Sequence, residues 1–180
     1  ITDLAEGETV WGERSIQALV EGSNLHHVTF IITGTEYITS TIERHLPYSL
    51  MGDTNGVPNA WNASQMPVGD NYMLTAYGYD SDHLTCSMQE VNFAIGAEIG
   101  GQISYENNGI EGVMLQLQPI SCDFSTSSNQ IDWVDITDTS GNFTFQGLPE
   151  GDYCLSIDQD SLPQGLNFAL LSQDVSIQAG

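Results

Sequence analysis

The run GNFTFQGLPEGDYCLSID, residues 141–158, alternates apolar and polar side chains almost one by one. Phe143, Phe145, Leu148, Tyr153, Leu155 and Ile157 fall to one side, and Thr144, Asp152 and Ser156 to the other. A period of two is the mark of a half-buried strand, and it cannot line up as one apolar stripe on a helix. In the middle, QGLPEG supplies Gly147, Pro149 and Gly151 for a tight connection. The pattern therefore predicts neighbouring strands over Phe143–Phe145 and Tyr153–Ile157, with Cys154 pointing away from the core.

A second run, EGVMLQLQPISC at 111–122, sends Val113, Leu115 and Leu117 inward and Met114, Gln116 and Gln118 outward. Continuing the count puts Cys122 outward as well, so Cys122 and Cys154 share a face. They read as a disulfide; the alternative is two unpaired thiols that pack as small apolar residues. Cys86 is left over. It either reinforces a contact between chains or lies buried, and burial is the expectation.

Helical periodicity is absent elsewhere too, and short alternating runs separated by Gly, Pro, Asn and Asp recur throughout, which predicts an all-β fold. In the first half the candidate strands are SIQALV, HHVTFIITG, EYITSTIE, YMLTAYGYD and EVNFAIG, with Val28, Phe30, Ile32, Leu74 and Ala76 inward. They suit an immunoglobulin-like sandwich, crossed by the irregular segment LPYSLMGDTNGVPNAWNASQMPVGD. The pattern restarts at AIGAEIGGQISYE. Domains are accordingly expected at 1–96 and 97–180, the second a smaller sandwich from GQISYE, GVMLQLQPI, DWVDITD, NFTFQG, DYCLSID, FALLSQ and DVSIQAG. The joint of about three residues is too short for a free linker.

Charge narrows the partners. Among 180 residues, 24 acids face two arginines, Arg14 and Arg44, giving a formal net charge of −22. Nucleic acid and membrane insertion are not expected of such a surface. With 40% apolar residues the chain folds; it is no acidic tail. No apolar run reaches the length of a membrane span, and a chain that starts at Ile1 without a recognisable leader reads as a processed one. Together with a disulfide, this predicts an extracellular, cell-surface location.

The pieces GGQISYENNGIEGVMLQL, TDTSGNFTFQGLPEGDYCLSID and DVSIQAG make the second half resemble the prealbumin-like B-type repeats of bacterial surface adhesins, those of collagen adhesins and serine-aspartate repeat proteins. Some extracellular members with a cysteine in the same strand also carry an upstream one, which is similar to Cys122 and supports the bridge. The Lys–Asn isopeptide bond of many such repeats is impossible in a chain without lysine. Their calcium loop is reduced to Glu106, Asn107, Asn108 and Glu111. In the first half, RHLPYSLMGDTNG followed by GDNYMLTAYGYD resembles an immunoglobulin-like module of large secreted bacterial proteins, which implies display or spacing and brings no catalytic residues.

Candidate sites are few. Asp53 and Asn55 in GDTNG offer oxygen ligands for Ca²⁺, the one cofactor in view, and an Asx-capped turn explains the same residues. Asp135, Asp138 and Asn142 read as turn residues. His26 and His27, adjacent on a strand, should face opposite sides and fail to chelate one ion, with His45 and His83 unplaced. Trp61, in the crossover, is the aromatic expected to be exposed and so the candidate for stacking on sugars. Asn62 and Asn142 match the N-glycosylation pattern. No G-x-S-x-G, H-E-x-x-H or Gly-rich phosphate loop occurs, and no catalytic activity is expected.

Two functions follow as expectations: a structural unit of a bacterial cell-surface fibre, filament or adhesin, or an accessory carbohydrate-binding module of a secreted hydrolase. For the first, the partners are copies of the chain in a head-to-tail polymer, or other surface proteins. The polar stretch ITDLAEGETVW and the closing DVSIQAG are then the ends that would pair with a neighbour.

The charge itself is testable. Repulsion among the acids is relieved by screening, so the melting temperature should rise with NaCl as the Debye length falls from about 30 Å at 0.01 M to about 3 Å at 1 M. Ca²⁺ held at Asp53 and Asn55 should add stability beyond NaCl at matched ionic strength; equal melting temperatures leave only the turn.

Overall fold

The computed structural model describes residues 1–20, 25–34, 37–119, 122, 133–166 and 172–178. The fold is all-β, with two short 3-10 turns, and the chain divides into one compact unit from Ile1 to Gly96 and a second beginning at Ala97.

The first unit contains β1 (Glu8–Val10), β2 (Glu13–Arg14), β3 (Leu25–Thr33), β4 (Ile38–Glu43), β5 (Asp53–Thr54), β6 (Val57–Pro58), β7 (Trp61–Asn62), β8 (Gly69–Asp80) and β9 (Thr85–Ile95). Its main sheet has the order β1-β9-β8-β3-β4, with β1 parallel to β9 and the other neighbours antiparallel. The inward row is the one the alternation predicts: Val28, Phe30, Ile32, Leu74 and Ala76 are buried, joined by Val91, Phe93 and Ile95. The second layer is made of short pieces. Tyr48, Leu50, Trp61, Ala63 and Met66 come from the crossover and complete the core.

Two expectations change here. SIQALV is not a strand of the main sheet. Gln17 bridges Thr2 on one side and Ser49 on the other, and Leu50 N donates to Ile16 O at 3.0 Å, so this run belongs to the covering layer. The N-terminal stretch is not a loose arm either: it is built into its own unit, with β1 the end strand of the main sheet. Leu4 and Val10 are buried in the core, and β1 runs beside β9 from Glu8↔Phe93 to Val10↔Ile95. Just before β1, the Glu6 carboxylate accepts from Asn92 N and Asn92 Nδ2, both at 2.9 Å, and pins the chain to the sheet.

The second unit contains β10 (Ala97–Gln102), β11 (Ser104–Tyr105), β12 (Asn108–Gly109), β13 (Met114–Gln118), β14 (Trp133–Ile136), β15 (Asn142–Leu148), β16 (Gly151–Ile157) and β17 (Ser172–Ile177). A four-stranded sheet, β14-β13-β16-β17, faces the pair β10-β15, and Leu115, Leu117, Phe143, Phe145, Leu148 and Tyr153 fill the space between. Hence β15 and β16 are not sheet neighbours. The Gly147–Gly151 connection carries the chain from one layer to the other, and Tyr153 donates its hydroxyl to Pro149 O at 2.7 Å across it. Both strands still point their apolar rows at one core, which is why alternation alone could not separate a hairpin from a crossover. DVSIQAG forms most of β17 and is already paired with β16, from Gly151↔Ile177 to Ser156↔Ser172. The expected strand FALLSQ lies, at 168–171, outside the described residues.

Cys122 and Cys154 form the disulfide, with Cα atoms 4.9 Å apart and 32 residues of separation. Cys154 does sit on the face opposite Tyr153, between Gln118 on β13 and Asp174 on β17. It is buried all the same, because leaving the core face of a sheet is not the same as reaching water. Close to β15, Gly141 holds φ +79°, and a Cβ there would lie 2.2 Å from Ile103 O, whose own N–H donates to Gly141 O at 2.8 Å.

Cys154→Ser opens a loop whose closure is typically worth about 3–4 kcal/mol and should lower the melting temperature markedly; free thiols at both positions in a non-reduced digest would overturn the pairing. Gly141→Ala combines backbone strain with a clash against fixed main chain. It should cost more than about 1 kcal/mol in denaturant unfolding.

Candidate functional site

Among the described residues, a group of three potential metal ligands lies at one end of the five-stranded sheet, and a lost register creates it. On β3, Leu25 pairs with Asp80 and His27 with Tyr79, so His26 is an extra residue opposite a single step of β8. Such a bulge interrupts the alternation of faces. The adjacent histidines therefore do not diverge as a regular strand would require: His26 Nδ1 and His27 Nδ1 lie 3.0 Å apart.

The third member comes from the β8–β9 turn. Asp80 organises it: its Oδ1 accepts from Asp82 N and Leu84 N, both at 2.9 Å, and its carbonyl accepts from His83 N at 3.1 Å. This sets His83 at φ +61° and turns its ring to the other two, with centroids 5.0 Å from His26 and 5.8 Å from His27. One ring nitrogen from each of the three lies within 4.8 Å of the others. His27 is the anchored ring, stacked on Tyr79 at 4.6 Å and 7°. Desolvation first, then the neighbouring His26, His83 and Arg44, hold its pKa below the ordinary 6.5, so the neutral, lone-pair-bearing imidazole is favoured. His45 is exposed and not a member of the group, its backbone N–H donating to Glu43 Oε1 at 3.1 Å.

The same sheet end holds Cys86. A second register break, between Gly78↔Ser87 and Tyr79↔Thr85, makes Cys86 the extra residue of β9. It is exposed, contrary to the burial expected of it, with Sγ directed at Gly78 O at 3.3 Å.

The residues singled out from sequence fare differently. Asp53 opens β5, and Asn55 sits in the two-residue turn between β5 and β6. Gly56 N donates to Asp53 Oδ1 at 2.7 Å, and Asn55 and Gly56 take φ +55° and +79°, so the turn accounts for both. Asp138 is likewise a turn residue. Its carboxylate accepts from Asn142 N at 2.9 Å and Ser140 N at 2.8 Å, and the Asn142 backbone bond is the largest cause of its lowered pKa. Asp135 accepts from Thr144 N at 2.7 Å. Glu106 and Asn107, both at positive φ, form the β11–β12 turn.

Trp61 corrects an expectation. It is only 6% exposed and packs edge-on against Phe93 at 6.0 Å. The covering layer needs a large side chain there to close the core, so no indole face is left for a sugar. A cavity of about 360 Å³ in the second unit, between Ile99, Gly101, Ile103, Leu115, Phe143 and Val175, has no titratable group in its lining among the described residues.

No protein-family model matches the chain, and no curated protein matches it. Among solved structures it is similar to the major pilin subunit of Bacillus cereus, with 16% identity and a TM-score of 0.38, over 66% of this chain and 38% of that one. It is also similar to the pilus 2b backbone protein of group B streptococcus, with 14% identity and a TM-score of 0.39, over 94% and 87% of the two chains. The minor pilin of Streptococcus agalactiae gives 13% identity and a TM-score of 0.34, over 92% and 83%. Identities and TM-scores are low in all three, and the chain spans well under half of the Bacillus cereus subunit.

Proposed function

We propose that the chain is a non-catalytic structural unit of an extracellular bacterial surface fibre, filament or adhesin, an immunoglobulin-like module at 1–96 followed by a prealbumin-like module at 97–180. Its partners are further copies of the chain in a head-to-tail polymer, or other surface proteins.

The observation that carries this reading is the dress of the edge strands. β4 and β14 each end a sheet, and each shows two large apolar side chains to solvent: Ile38 and Ile42 at 77% and 51% exposure, Val134 and Ile136 at 53% and 55%. A bare edge of β-branched residues invites another strand, and a protein that stays single blunts such edges with lysine, proline or a cover. This chain has no lysine to spend on the task. Among the described residues, end strands that carry exposed apolar side chains in both units suit a protein that makes repeated contact with its own kind. The disulfide fits the same setting, since such a bond persists in oxidising surroundings. Only Gly96 separates β9 from β10 in sequence, so the two modules follow each other without a linker segment.

Electron microscopy and sedimentation of the full chain at rising concentration test the proposal. Assembly into linear polymers is expected, and Ile38→Glu combined with Val134→Glu should lower it at least tenfold while leaving thermal unfolding nearly unchanged. A chain that stays monomeric at millimolar concentration would reject the polymer; assembly indifferent to the double substitution would reject the edges as its contacts.

A further inference from the structure

We propose that His26, His27 and His83 form a binding site for a divalent transition-metal ion of the zinc or copper class. The site does not depend on the function proposed above.

The geometry is close to what such an ion requires. Three imidazoles and one open position are a standard zinc environment, with Zn–N distances of about 2.0–2.1 Å. Tetrahedral placement at those lengths separates ligand nitrogens by roughly 3.4 Å. Here one nitrogen from each ring already falls within 4.8 Å of the others, and the Nδ1 atoms of His26 and His27 stand 3.0 Å apart. Small rotations of exposed rings complete the approach. His26 and His83 are exposed and His27 half-buried, so an ion can reach the group and a fourth position faces solvent.

Two features hold the ligands before an ion arrives. The bulge sets two consecutive histidines on one side of the sheet, and the Asp80-capped turn fixes the backbone of the third. His27 keeps its ring plane through the stack on Tyr79. Pre-set ligands lower the ordering cost that a flexible histidine tract would bear on binding. The ligand type selects the metal. Neutral imidazole suits Zn²⁺, Cu²⁺ and Ni²⁺, whereas Ca²⁺ and Mg²⁺ call for oxygen. A net charge of −22 raises the local concentration of any cation. Once bound, the ion would tie the start of β3 to the β8–β9 turn and stabilise the first unit by mass action.

Titration of the full chain with Zn²⁺, and separately Cu²⁺, by calorimetry in excess Ca²⁺ tests the site. The calcium occupies carboxylates, so what remains is imidazole binding. One ion per chain is expected, with a rise in melting temperature and shifts of three histidine ring signals in NMR. His83→Ala and His26→Ala should each weaken binding at least about tenfold and remove the thermal shift, while His45→Ala and Cys86→Ser leave both unchanged. Melting of each metal-free variant at the wild-type temperature shows that the fold is retained. Full affinity in His83→Ala, loss of binding in Cys86→Ser, or complete displacement of Zn²⁺ by Ca²⁺ would overturn the proposal.

Discussion

The pleat of the β-strand governs this molecule. With two arginines and no lysine, the chain has almost nothing to neutralise its carboxylates, so every acid must be left in water while the apolar residues are withdrawn from it. A pleated strand does this without further devices, because each step along the backbone changes face. β3 shows it in its plainest form: Val28, Phe30 and Ile32 are buried, and Thr29, Ile31 and Thr33 between them are not. The cores of both units are rows of this kind laid against a second layer. Where such a row must end in polar main chain, a side chain completes it. Buried Thr137 accepts from Val113 N at 2.9 Å and donates to Ile110 O at 2.6 Å.

How much of this could be read beforehand follows from what the pleat does and does not encode. Parity is local, so the inward rows of β3, β8, β13, β15 and β16 were legible residue by residue, and so was the pairing of Cys122 with Cys154 on a shared face. Strand adjacency is not local. Phe143 and Tyr153 reach the same core from opposite layers, and nothing in QGLPEG distinguishes a hairpin from a crossover when both deliver apolar residues to the same place. Trp61 failed for a related reason. A residue in an irregular segment has no parity, and its burial was decided by the space left over by the main sheet.

The histidine group marks the sharpest limit. Reading HH on a strand as two opposed faces is correct for every regular strand and false at a bulge, where one extra residue resets the count. Cys86 escaped in the same way, on the second bulge of the same sheet end. The residues with the most distinctive chemistry in the first unit thus stand where the repeating pattern breaks, and a rule built on the pattern misplaces them.

The bond between Cys122 and Cys154 has a mechanical side. A chain pulled from both ends lengthens as its sheets give way, but the 32 steps between the two sulfurs cannot be drawn out while the bond holds. At about 3.3–3.6 Å per extended residue, roughly 110 Å of contour length stays locked away. The tension passes through the sulfurs and bypasses β14, β15 and the first three residues of β16. Even with its other strands stripped apart, the second unit would keep those segments slack, ready to refold when the load is released.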